Sequence, residues 1–118
     1  MVDEFSLLLS SPAKRARQTA EFFSNALRIE REVVDDRIYH AWPEDLVEVV
    51  REIPEESERV LIFGHNPGFT DVYNRFSVNS LDNLPTCGIF ELICDGKWSE
   101  MSRDNTTTGI LIYPKMFD

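Results

Sequence analysis

Apolar residues fall along this chain in two kinds of arrangement. Short continuous runs, Phe5 to Leu9 and Val60 to Phe63, predict buried strands. Repeats at three and four, made by Ala13, Ala16, Ala20, Phe23 and Leu27, predict a helix over about 13–28 with one apolar stripe. Val33-Val34 reads as a short strand. Pro43 opens a second helix with Leu46, Val49, Val50 and Ile53 inward, ending before Pro54, and Asn66-Pro67 caps and starts a third that runs to about Phe76. Residues 77–86 read as a polar loop. Ile89 to Ile93 then predicts a strand, Asp95-Gly96 a hairpin turn, Lys97 to Ser102 the return strand, and Ile110 to Tyr113 a further short extended piece. Strand and helix alternate first and a hairpin finishes the chain. That order predicts an α/β fold, its sheet mostly parallel with an antiparallel C-terminal hairpin.

Two stretches repeat one local plan. Ser10-Ser11-Pro12-Ala13-Lys14-Arg15-Ala16-Arg17 follows the first apolar run, and Gly64-His65-Asn66-Pro67-Gly68 follows Val60 to Phe63. Each is a strand end, a tight junction and a helix start, with Ser11 a candidate N-cap and Pro12 the first helical residue. In open α/β sheets such junctions gather at the carboxyl ends of the strands, where ligands bind. One junction delivers Arg15 and the other His65, a suitable pair for a phosphate site.

Composition narrows the partners. The 118 residues fit a single domain, 1–118, with 42% hydrophobic and 28% charged residues, as in an ordinary globular protein. A formal charge of −9 argues against general nucleic-acid binding, so an anion site must be a local concentration of cations. No apolar run reaches membrane-spanning length and no basic-then-apolar signal opens the chain, so the expectation is a cytoplasmic protein with no membrane partner. Cys87 and Cys94 suggest buried free thiols, and the spacing of His40, His65, Cys87 and Cys94 does not suggest a metal site. The acidic cluster Glu55-Glu56-Ser57-Glu58 reads as a solvated turn.

Among the cations, Lys14 and Arg17 are expected to point to water and pair with carboxylates. Arg15 lies closer to the apolar stripe, where a guanidinium beside helix N-terminal amides makes a fork for a phosphoryl group. His65 suits ligand binding or a local backbone carbonyl. His40, in Tyr39-His40-Ala41-Trp42, reads as a partly buried loop histidine.

Taken together, Ser11-Pro12-x-x-Arg15-Ala16-x-Gln18-Thr19-Ala20, Tyr39-x-Ala41, Gly64-His65-Asn66-Pro67-Gly68 and Leu84-Pro85-Thr86 resemble the histidine phosphatase (phosphoglycerate mutase-like) superfamily. The branch most similar is the SixA-type phosphohistidine phosphatases, and the likeness extends to the closing hairpin with Trp98 and to Tyr113-Pro114-Lys115. It implies a three-layer α/β/α fold and metal-independent phosphoryl hydrolysis without a cofactor. In that family a histidine in an Arg-His-Gly or Arg-His-Ala motif attacks phosphorus and is transiently phosphorylated. Arg15 would bind the phosphoryl oxygens, His65 would hold the charge of the transition state, and Ser11 would complete the phosphate-binding set. SixA-like members lack the general acid of their mutase relatives. Glu44 is the nearest candidate acid here, and a helix-start role suits it better.

The chain departs from the pattern at one decisive point, because it contains no Arg-His pair. The nucleophile, its strand and its helix are therefore expected to be missing, and the chain alone is expected to be inactive. The rival expectation is a non-catalytic phosphate- or phosphoprotein-binding remnant. The family's sheet order, 3-2-4-1-5-6, would leave a gap between Val60–Phe63 and Ile89–Ile93. That gap is expected to close by direct pairing or to be filled by a strand of a second molecule, giving a homodimer. The partner implied is phosphate or a phosphorylated substrate, foremost a phosphohistidine protein.

Overall fold

The structure is a computed structural model that describes residues 5–29, 31–39, 42–85 and 88–112. Strand β1 (Leu7–Ser10) lies at the centre of a parallel sheet, with β2 (Glu32–Val34) on one side and β3 (Val60–Phe63) on the other. Leu8 sits opposite Glu32 and Leu61, and Ser10 opposite Val34 and Phe63. Successive side chains of a strand point to opposite faces, and three helices use both. Leu7 and Leu9 enter a core with Leu46, Val49 and Val50 of α2 (Pro43–Arg51) and with Val72 and Phe76 of α3 (Gly68–Phe76). Leu8 faces the other way, into a smaller cluster with Ala20 of α1 (Lys14–Leu27), Ile29, Leu61 and Phe63. The layers are therefore α1, sheet, and α2 with α3.

Two of the three helix starts have a local cause in hydrogen bonds from nearby side chains. Pro43 supplies the fixed φ of a first helical residue, and Asp45 Oδ2 accepts the Trp42 amide at 3.0 Å. Asn66 Oδ1 accepts the Thr70 amide at 3.1 Å and so satisfies one amide of the first turn of α3, but the N-cap position is Pro67, not Asn66 as expected, and the helix proper begins at Gly68. Ser11 does not cap α1. The helix begins at Lys14, Ala13 stands in the extended region at the N-cap, and no side chain caps it. The expected stripe also shifts at its end. Ser24 is buried and Leu27 is exposed, because Arg28 adopts φ 56° and turns the chain so that Ile29 takes the inward place.

The C-terminal hairpin differs from the expectation. Strand β4 (Ile89–Cys94) pairs antiparallel with β5 (Thr106–Ile112), and Lys97–Ser102 is not a strand. Instead residues 95–105 form a long connection with a 3₁₀ turn at Trp98–Glu100. Trp98 Nε1 donates to the Ser57 carbonyl at 2.7 Å, while Glu55 accepts the amides of Trp98 and Ser99. Arg51 donates twice to the Met101 carbonyl, at 3.0 and 2.7 Å. These anchors hold the connection against α2, and the β-branched run Thr106 to Thr108 becomes the return strand. Residues 55–58 thus form more than a solvated turn.

The parallel sheet and the hairpin are two separate ladders. Among the described residues no ladder joins β3 to β4, so the expected direct closure of that gap does not occur. The reason lies in the packing. Phe90 of β4 rests edge-on against Phe69 and Tyr73, with ring centroids 6.3 and 5.3 Å apart, so α3 supports the hairpin without backbone pairing to β3. Cys94 is a free, half-buried thiol, whereas Cys87 and the segment Tyr113-Pro114-Lys115 lie outside the described residues.

Candidate functional site

Both junctions reach the same edge of the sheet, since β1 and β3 are parallel neighbours in register. The ladder continues one residue beyond the strands, with the Ser11 amide donating to the Phe63 carbonyl at 3.0 Å. That bond sets Ser11 beside Gly64-His65. Gly64 is required there, because a Cβ would fall 2.7 Å from the Phe69 ring and 2.8 Å from Ile38 Cγ2.

The consequence is a direct contact between the junctions. Ser11 Oγ and His65 Nε2 are 2.7 Å apart. Ser11 is fully buried, and its Oγ also accepts the Ala13 amide at 3.1 Å. A hydroxyl has one proton and two lone pairs, so it can hold a neutral ring by donating to Nε2 or a protonated ring by accepting from it. Tyr39 adds a second constraint, its ring standing edge-to-face on the imidazole with centroids 5.6 Å apart. The sequence reading missed this contact. Tyr39 belongs to the sequence cluster Tyr39-His40-Ala41-Trp42, of which His40 lies outside the described residues.

Arg15 occupies the first turn of α1, exposed, at the same edge. The amides of the first helical residues have no intrahelical acceptor, and without a side-chain cap they add donors and the positive end of the helix dipole. Lys14 and Arg17 are exposed beside it. Among the described residues neither forms an ion pair, contrary to the expected pairing with carboxylates. Three cations thus share two turns of a helix with no acid in its first turn. Ser11, His65 and Arg15 all stand where two adjacent strands end.

Glu44 is placed otherwise. It lies in the first turn of α2 and pairs with Arg75 at 2.6 Å. Its hydrogen bond to that guanidinium holds the carboxyl below its ordinary range, which suits a helix-start carboxylate and not a proton donor. Among the described residues no three His, Cys, Asp or Glu side chains gather as a metal-binding group, and no helix is long and apolar enough to cross a membrane.

No protein-family profile matches the chain, and no curated protein does. A solved structure provisionally assigned as the phosphohistidine phosphatase SixA of Nakamurella multipartitia superposes with a TM-score of 0.76 at 19% identity, over 95% of this chain and 72% of that one. At that identity the likeness concerns architecture. The chain therefore shares the α/β/α fold of that structure.

Proposed function

We propose that this domain recognises a phosphoryl group as a SixA-like member of the histidine phosphatase superfamily. Arg15 and the uncapped amides of α1 hold the phosphoryl oxygens, and His65 balances the charge that develops on them. Ser11 serves that site by seating the imidazole. The contact of 2.7 Å between Ser11 and His65 carries the reading, because it ties the two junctions together at one carboxyl edge. The fold likeness and the exposed guanidinium of Arg15, without an ion pair among the described residues, support it. Phosphoryl transfer depends mainly on positioning and electrostatic stabilisation, and these residues supply both.

The absence of an Arg-His pair from the 118 residues favours a second reading for the chain by itself. It binds a phosphoryl group, free or on a phosphohistidine protein, without turning it over. Hydrolysis of a phosphoramidate or phosphate ester would require a histidine delivered by a strand between β3 and β4. A second copy docking there would give a homodimer. The setting that suits this chemistry is the cytoplasm.

Titration with inorganic phosphate, followed by calorimetry and amide chemical shifts, tests the reading. Charge-assisted hydrogen bonds contribute about 1.5–3 kcal/mol, so Arg15→Ala and His65→Ala should each weaken binding roughly tenfold or more. Shifts should centre on residues 11–16 and 64–66. Unchanged affinity in both variants would refute the site, and steady turnover of an aryl phosphate that His40→Ala abolishes would refute the non-catalytic reading.

A further inference from the structure

Beside the candidate site, α1 and β2 enclose an open groove of about 560 Å³ that the phosphoryl reading leaves unused. Its wall is one stripe of α1, made by Lys14, Arg17, Gln18, Glu21 and Asn25, and its floor is formed by Leu8, Ser10 and Ala20. The groove is electrically graded. Lys14 and Arg17 come from the first two turns of α1, which begins at the carboxyl edge of the sheet. Ser10 and Val34 are the last residues of their strands and lie at that same end. Glu32, the first residue of β2, and Glu21 lie toward the other end. Glu32 is held by the Ser24 hydroxyl at 3.0 Å.

The other border of the groove is an unused edge. β2 is the outer strand of its sheet, and Val33 and Val34 are 38% and 50% exposed. Bonds to β1 run through the Arg31 carbonyl, which accepts from Leu8, and the Asp35 amide, which donates to Ser10. Hydrogen bonding alternates along a strand, so the amides of Glu32 and Val34 face outward. Such an edge recruits extended chains, with main-chain bonds giving affinity and side-chain sites giving selectivity.

We infer that this groove receives an extended, acidic segment of the phosphoprotein substrate, added as a strand on β2 with its acidic end against Lys14 and Arg17. The inference rests on the phosphoryl reading for the identity of the substrate. Charge decides the occupant. Lys14 and Arg17, exposed and without an ion pair among the described residues, mark one end of the groove for a carboxylate-bearing segment. The strand would leave the groove beside Arg15, a residue of the phosphoryl site. It would thereby make a protein, and not a free metabolite, the preferred bearer of the phosphoryl group bound at the site.

Two labelled hexapeptides, Asp-Asp-Val-Thr-Val-Thr and Thr-Val-Thr-Val-Asp-Asp, probe both strand directions, with Lys-Lys-Val-Thr-Val-Thr as the control. At least one acidic peptide should bind, slow amide exchange at Glu32 and Val34 tenfold or more, and weaken with rising salt. Val34→Pro removes an outward amide without touching the ladder to β1, and should abolish binding. The surface double variant Lys14→Glu with Arg17→Glu should weaken it at least tenfold and provides a test if the proline variant does not fold. Equal binding of the lysine peptide, no protection at Glu32 and Val34, or protection of those amides by dimerisation without peptide would each overturn the inference. Inorganic phosphate is titrated into the same samples. Phosphate binding without peptide binding rejects the groove alone, whereas peptide binding without phosphate binding rejects the phosphoryl reading.

Discussion

The two sheets of this protein are both rich in apolar residues, yet they are stabilised differently. β1 is buried along its whole length because helices cover both of its faces. The hairpin alternates, with Phe90, Leu92 and Cys94 packed on the core and Ile89, Ile93, Ile110 and Ile112 exposed. Burial therefore dominates at the central strand of the parallel half. The hairpin depends more on polar anchors in its connection, above all Trp98 on Ser57 and Arg51 on Met101. Residues of one chemical type thus contribute unequally, according to whether a second layer covers them.

The sharpest way to break the comparison is a matched pair of truncations. Leu7→Ala, at 2% exposure, should lower stability by about 2–5 kcal/mol through lost burial and a residual cavity. Ile93→Ala, at 49% exposure, should cost less than about 1 kcal/mol. Denaturant unfolding measures both, and similar losses would mean that the outer face of the hairpin is covered in solution.

A pair of glycines comes next. Gly64→Ala drives a methyl into the Phe69 ring and Ile38, and overpacking of this kind costs about 1–3 kcal/mol. At Gly109, in the hairpin, the nearest obstacle is the carboxylate end of Glu91, which can swing into solvent. Gly109→Ala should therefore fall within about 1 kcal/mol of the parent in thermal unfolding.

Trp98→Phe keeps most of the ring and removes the Nε1 donor to Ser57. The expected loss is about 1 kcal/mol, with faster amide exchange confined to residues 95–105. A loss spread over β1 and β3 would show that the two sheets unfold as one unit through this anchor.

The smallest effect concerns charge. Arg37 bridges Asp35 and Glu52, and its hydrogen bonds hold both carboxyls below their ordinary range. A carboxyl depressed in the folded state contributes stability above its unfolded pKa, near 4, and loses it as pH falls through the folded value. The stability difference between the parent and Arg37→Ala should therefore be full at about pH 6 and shrink on acidification below about pH 4. Urea midpoints across that range provide the measurement, and a constant difference would exclude the ionic origin.

Much of the parallel half could be read from the chain, because its signals are local. Val60–Phe63 matches the strand predicted from its apolar run, and the Pro43 start of α2 and the Phe76 end of α3 follow from proline placement and periodicity. The pairing of an arginine junction with a histidine junction was likewise visible as motif order. The hairpin was not legible in the same way. The return strand was expected at Lys97 to Ser102, whereas the strand character of Thr106 to Thr108 depends on β4 opposite it, with Thr107 across from Ile93. Only the folded chain brings Glu55 and Ser57 to Trp98.

By itself the sequence determined the alternation of strands and helices, the two junctions and the types of side chain delivered there. Those follow from periodicity, proline and glycine placement within a few residues. Tertiary structure decided what the side chains do. It drew Ser11 from a cap position into contact with His65, gave Glu44 to Arg75 and, among the described residues, left Lys14 and Arg17 without carboxylates and β4 without a ladder to β3. Each of these outcomes depends on groups far apart in sequence meeting at ångström distances, and local pattern cannot specify such meetings.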